Sequence, residues 1–187
     1  MNVLPTAIDD VRVIEPKVFS DQRGYFLETY HSRRYRDAGI VCDFVQDNLS
    51  FSVRGTLRGL HYQIRHPQAK LVQVISGEVF DVAVDLRIGS PTFGKWAGVV
   101  LSSENKRQLF IPEGFAHGFC VTSETALFLY KCSDLYDPQD EGGLLWSDPD
   151  VGISWPVERP LLSAKDALFP RLCDIPEEKL FRMGGGQ

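Results

Sequence analysis

The chain has 187 residues, with 20 Lys and Arg against 25 Asp and Glu, a formal net charge of −5. That balance argues against a nucleic-acid binder, which carries a basic stripe, and against a polybasic membrane-surface protein. Apolar residues at 43% and charged residues at 24% suit one folded domain rather than a disordered chain.

The N-terminal stretch MNVLPTAIDDVRVIEP has neither a basic n-region nor an unbroken apolar h-region, so no secretory signal is expected. No apolar run approaches the roughly 18 residues of a membrane helix. Thr29 to Ala38 is the first predicted element, a helix stopped by Gly39 at a C′ position. Strands follow. Leu71–Ile75 precedes Glu78–Leu86, where Phe80, Val82, Val84 and Leu86 alternate with a set carrying Asp81 and Asp85. Trp96–Leu101, Gln108–Ile111, Phe115–Val121 and Ala126–Cys132 complete the series, separated by Gly, Pro and Ser turn signals. Many short strands between such turns indicate an antiparallel sandwich or barrel. Val157 to Leu180 is broken by Pro and predicts one or two short helical turns on that barrel. The chain reads as a single domain with a tail from about residue 174, ending in a frayed Gly184-Gly185-Gly186-Gln187. Cys42, Cys120, Cys132 and Cys173 are widely spaced with no C-x-x-C pair, which points to reduced thiols and a cytoplasmic protein.

Two segments resemble the paired motifs of the cupin jelly roll, an all-β antiparallel barrel. Gly55 is followed by five residues and His61, but Gln63 stands where a second His belongs and Lys70 where a Glu belongs. Pro112-Glu113-Gly114-Phe115-Ala116-His117 is an intact second motif. A protonated Lys offers no lone pair and repels a cation, so no metal is expected unless His66 substitutes as a ligand. The blocks Arg58-Gly59-Leu60-His61-Tyr62-Gln63, Gly77–Asp85, Ser90–Gly94, Ile111–Phe119, Phe128-Leu129-Tyr130-Lys131 and Leu162–Asp166 go further. From about Phe19 to Asp166 the chain resembles the dTDP-4-dehydrorhamnose 3,5-epimerase family.

That resemblance implies inversion of C3 and C5 of a dTDP-linked 4-keto-6-deoxyhexose without a cofactor. Both protons lie alpha to the C4 ketone, so their removal gives an enolate, and the chemistry asks for a base, an acid and a cation at the carbonyl oxygen. His61 is the expected base, because imidazole titrates nearest neutrality. Asp166 is the family's carboxylate partner for it and is also readable as a capping residue after Ser163, with Asp81 a second candidate. Tyr130 is the expected acid, equally readable as a core tyrosine, and Lys70 the expected cation at the oxyanion. For substrate binding the resemblance implies Arg23, Glu28, Gln46, Asp47, Asn48, Arg58, His117, Glu141 and Lys165, with Phe19 and Tyr136 flanking the thymine. Arginine suits diphosphate oxygens through its bidentate fork. The family is dimeric, so the resemblance implies a homodimer in which Arg23 or Glu28 serves the partner's site. Rival readings are a single-site 3- or 5-epimerase, a 3,4-ketoisomerase, a metal-dependent cupin and a sugar-binding module.

Overall fold

The structure is a computed structural model and describes residues 1–183. The expected frayed tail at 184–187 lies outside the described residues. In chain order the strands are β1 (Asn2–Pro5), β2 (Arg12–Glu15), β3 (Val18–Asp21), β4 (Gly24–Leu27), β5 (Gln46–Val53), β6 (Leu57–Gln63), β7 (Lys70–Ser76), β8 (Glu78–Asp85), β9 (Arg87–Ile88), β10 (Trp96–Ser102), β11 (Gln108–Ile111), β12 (Phe115–Val121), β13 (Thr125–Cys132), β14 (Glu141–Gly143) and β15 (Phe181–Arg182). One α-helix, α1 (Ser32–Asp37), precedes β5. It is shorter at its start than expected, because His31 is extended and leaves the first turn without a side-chain cap. Gly39, at φ +86°, closes it as expected.

Two antiparallel sheets form a jelly-roll barrel. One has the order β1-β2-β11-β7-β13-β5, the other β10-β8-β12-β6-β14. Between them lies a core that includes Val72, Val74, Ala83, Leu101, Leu109, Phe119 and Phe128. The alternation read in Glu78–Leu86 is real, but both faces of β8 are buried. Val79, Asp81 and Ala83 face the interior, while Val82, Val84 and Leu86 pack under Leu144, Val151 and Ile175. The polar set of that strand is therefore the inward one.

The predicted tail from residue 174 is a correction. Ile175 is buried, and β15 adds to β9 as a parallel strand. The Phe181 ring meets Tyr62 edge-on at 6.0 Å. Those apolar side chains need cover, and the outer face of the five-stranded sheet supplies it. On the other side, α1 places Tyr35, with Ile40 just after the helix, against Ile14, Leu71 and Phe110 of the six-stranded sheet. The barrel is thus covered over part of each outer face, and one end of its interior stays open.

Candidate active site

The open end holds a cavity of about 580 Å³ lined from both sheets. From the six-stranded sheet come Gln46, Asn48 and Ser50 of β5, Lys70 of β7, and Phe128, Tyr130 and Cys132 of β13. The register explains this grouping. Cys132 pairs with Gln46 and Lys70, Tyr130 with Asn48 and Val72, and Phe128 with Ser50 and Val74. Successive rungs two residues apart point the same way.

From the five-stranded sheet come Arg58, His61 and Gln63 of β6 and His117 of β12. Arg58 and His61 are three residues apart, so a regular strand would send them to opposite faces. A bulge prevents this. His117 pairs with His61 and Phe119 with Arg58, so three steps on β6 oppose two on β12. The extra residue is accommodated at Gly59, whose φ is +115° and whose Cβ, if present, would lie 2.6 Å from the Gly118 Cα.

His61 Nε2 lies 2.8 Å from Asp166 Oδ1, on a 3-10 turn (Asp166–Leu168) of the C-terminal segment. The Gly59 N–H donates to the other carboxylate oxygen at 3.4 Å, and the Asp166 N–H donates to Ser163 Oγ at 3.0 Å. Burial acts to raise the Asp166 carboxyl, but the bond and charge of His61, with Gly59 and Ser163, hold it below the usual range. The ring of Phe169 stands edge-on to His61 at 5.6 Å. Asp81, the second candidate partner for His61, instead has both oxygens 3.0 Å from His117 Nε2. β8 lies beside β12 and not beside β6, which decides the pairing.

Tyr130 is half-buried against the core, and burial, more than the neighbouring Cys132, pushes its phenol up while Arg58 opposes the shift. It is protonated at neutral pH. Burial pushes the Lys70 ammonium down, resisted by Cys132, Asp81 and Glu141. Arg58 donates from Nε to Ser52 Oγ at 3.0 Å, which turns the guanidinium along the cavity rim. Glu141 accepts from Lys165 Nζ at 2.6 Å and from the Tyr136 hydroxyl at 2.8 Å.

Gln63, at the emptied ligand position of the motif, is buried and fully used. Its amide donates to the His66 carbonyl at 2.8 Å and the Leu135 carbonyl at 3.2 Å, and its oxygen accepts the Asp137 N–H at 2.9 Å. It clamps the loop that carries Tyr136, whose own N–H donates to Gln46 Oε1 at 2.9 Å. His66 is a correction to its possible ligand role. It lies exposed beside Asp134, 3.3 Å away. Among the described residues no group of three His, Cys, Asp or Glu is placed to hold a metal ion.

The cavity therefore gathers Gln46, Asn48, Arg58, His61, Lys70, His117, Tyr130, Tyr136, Glu141, Lys165 and Asp166. Four expected residues fall outside it. Asp47 points the other way along β5 and pairs with Lys131 at 2.9 Å. Glu28 pairs with Arg34 at 2.8 Å, and Arg23 with Asp21 at 2.6 Å. Phe19 and Arg23 sit on the exposed β3–β4 hairpin around a second, separate pocket. Ser50, Gln68, Cys132 and Ser163 line the cavity without having been singled out. The first and third stand in register with Gln46, Asn48 and Tyr130, which is the signal that finds them.

A jelly-roll barrel with an imidazole–carboxylate pair on one wall and a phenol and an ammonium on the other defines a cupin-type protein built for proton transfer. A family model described as dTDP-4-dehydrorhamnose 3,5-epimerase matches residues 5–174. A dTDP-4-dehydrorhamnose 3,5-epimerase from Shigella flexneri is 58% identical over 168 residues, 89% of this chain and 93% of that protein. A dTDP-6-deoxy-D-glucose-3,5-epimerase from Legionella pneumophila Philadelphia 1, solved in complex with dTDP-4-keto-L-rhamnose, superposes with a TM-score of 0.95. It is 53% identical and covers 97% of this chain and 98% of its own. A dTDP-4-dehydrorhamnose 3-epimerase from Streptomyces niveus is 45% identical over 89% of this chain and 81% of its own. The chain belongs to the dTDP-4-dehydrorhamnose 3,5-epimerase family, isomerases that act on sugars.

Proposed function

We propose that this chain inverts C3 and C5 of dTDP-4-dehydro-6-deoxy-D-glucose to give dTDP-4-dehydro-L-rhamnose. The observation that carries the reading is the placement of His61 on one sheet, held by Asp166 from the C-terminal 3-10 turn, with Tyr130 and Lys70 on the other sheet, all facing one cavity. Inversion at a carbon alpha to a ketone requires a proton to leave one face and return on the opposite face. His61 takes the proton, with Asp166 fixing the ring and stabilising the imidazolium that forms. Lys70 stands for the enolate oxygen, where a fixed charge in a water-poor pocket is most effective. Tyr130 returns a proton from the other wall, which its high phenol pKa permits. Arg58 and Lys165 at the rim suit the diphosphate, and Tyr136 with Gln46 and Asn48 suits the base.

We infer a homodimer as well. The β3–β4 hairpin exposes Phe19 (53%), Tyr25 and Phe26 (70%) on its own chain, and edge strand β5 turns Leu49, Phe51 and Val53 outward. An apolar edge strand and an aromatic hairpin favour cover by a second copy, with Phe19 and Arg23 serving the partner's cavity. The substrate is a nucleotide sugar and the four cysteines are free thiols, which supports a reducing, cytoplasmic setting. No helix among the described residues is long and apolar enough to cross a membrane.

Incubation with the keto-sugar in D2O tests the activity. Deuterium at both C3 and C5 of an inverted product is expected. Label at one carbon alone overturns the double epimerisation in favour of a single-site enzyme, and a shifted carbonyl overturns it in favour of a ketoisomerase.

A further inference from the structure

His117 repeats on β12 the arrangement of His61 on β6. The two residues are cross-strand partners, both rings line the cavity, and each rests Nε2 against a buried carboxylate. Their carboxylates differ. Asp166 is shared among His61, Gly59 and Ser163, whereas Asp81 is wholly buried on β8 and has His117 as its one hydrogen-bond partner among the described residues. A carboxylate so buried demands a positive neighbour. His117 from β12 bonds it at 3.0 Å, and the charge of Lys70 from β7 acts on it as well, while Lys70 in turn feels Cys132 of β13 and Glu141 of β14. Glu141 is already bonded to Lys165, and the Cys132 thiol is pushed up by burial despite Lys70. Burial pushes the Asp81 carboxyl up, opposed first by His117 and then by Lys70, so its charge depends on these two cavity-lining groups. His117 Nε2 faces Asp81, which leaves Nδ1 as the ring nitrogen that bonds no protein group among the described residues.

We propose that Asp81 is a positioning residue for the epimerisation: it keeps His117 as a cationic donor and acts as the counter-charge of Lys70, so two donors meet the enolate oxygen. This rests on the epimerase reading above. The test is Asp81→Asn, which keeps the size and a hydrogen-bond acceptor but removes the charge. The expected result is a kcat for deuterium wash-in lower by at least about tenfold at neutral pH, with KM within about twofold. The alkaline limb of kcat should also move to lower pH by about one unit or more, because neither His117 nor Lys70 retains its counter-charge. Asp81→Glu should bring the limb back. Purely structural damage lowers the folded fraction without moving that limb. An unmoved limb in Asp81→Asn overturns the proposal. Nitrogen-15 shifts of His117 in the wild-type chain give a readout that needs neither turnover nor a variant. An imidazolium at neutral pH supports the proposal, and a neutral ring overturns it. A wild-type chain that exchanges no deuterium overturns the epimerase reading instead, and the His117 shifts still decide the state of the pair.

Discussion

Asp166 Oδ1 lies 2.8 Å from His61 Nε2, although 105 positions of sequence separate the two residues. The 3-10 turn that carries Asp166 brings its carboxylate under β6, and the Gly59 N–H meets the second oxygen. In the proposed mechanism the pair sets the ring's orientation and supports the imidazolium. Asp166→Asn is expected to lower kcat by roughly 10²–10⁴-fold, the range a positioned general base supplies. Steady-state turnover alongside dTDP titration calorimetry checks it. Loss of nucleotide affinity with kcat retained would assign Asp166 to binding.

His61→Ala removes the proposed base. Turnover and solvent exchange at both carbons should disappear, while dTDP binds within about threefold of wild type, since only an interaction made in the transition state is lost. Weak binding with residual turnover would contradict that role.

Tyr130→Phe separates proton removal from proton return. The phenol is held in its protonated form and stands on the wall opposite His61, so its loss should impair product formation more than deuterium wash-in to substrate. Rapid-quench comparison of the two rates is the measurement, and equal losses would make Tyr130 a packing residue.

Asp85 supplies a pH-dependent share of stability. Burial acts to raise it, yet bonds from Arg87 at 2.7 Å and from Ser90 and Thr92 at 2.6 Å each hold it below the ordinary range. Its folded value lies below its unfolded one near about 3.9, so the stabilisation is complete above that pH and disappears as pH falls through the folded value. The thermal midpoint should be flat near neutrality and fall in that acid window. Asp85→Asn, which breaks a buried ion pair, should cost about 3–5 kcal/mol at neutral pH and flatten the acid fall. Calorimetric scans across the window check both.

Gly59→Ala tests the bulge. A left-handed backbone and a Cβ at 2.6 Å from Gly118 leave no room for the methyl group, so stability should drop by about 1–3 kcal/mol or more. Because the bulge sets Arg58 and His61 on one face, kcat should fall even in the folded fraction. Wild-type kcat per folded molecule would show that the bulge plays no part in the site.

Local pattern alone was enough for the strands of the middle of the chain. β11 and β12 keep the predicted limits, and β7, β8, β10 and β13 shift by a residue or so, because alternation and Gly or Pro turns are properties of neighbouring residues. The motif residues were legible for the same reason, His61 and His117 as matches to a pattern at fixed spacing and Lys70 as a departure from it. β5 and β6 were not. β5 is inverted, with Gln46, Asn48 and Ser50 inward and Leu49, Phe51 and Val53 outward, and β6 loses its alternation at the Gly59 bulge.

The chain's own order of residues was sufficient for the barrel class and the family, and for singling out His61, Lys70, Tyr130 and Asp166, which the fold gathers around one cavity. Only the folded molecule decided that Asp81 serves His117 rather than His61, that residues 175–182 cover the outer sheet, and that Arg23, Glu28, Phe19 and Asp47 stand away from this chain's own cavity. The reason is physical. Periodicity records which residues share a face of one strand, whereas which carboxylate meets which imidazole depends on strand order across the sheet, and that order arises from contacts distant in sequence.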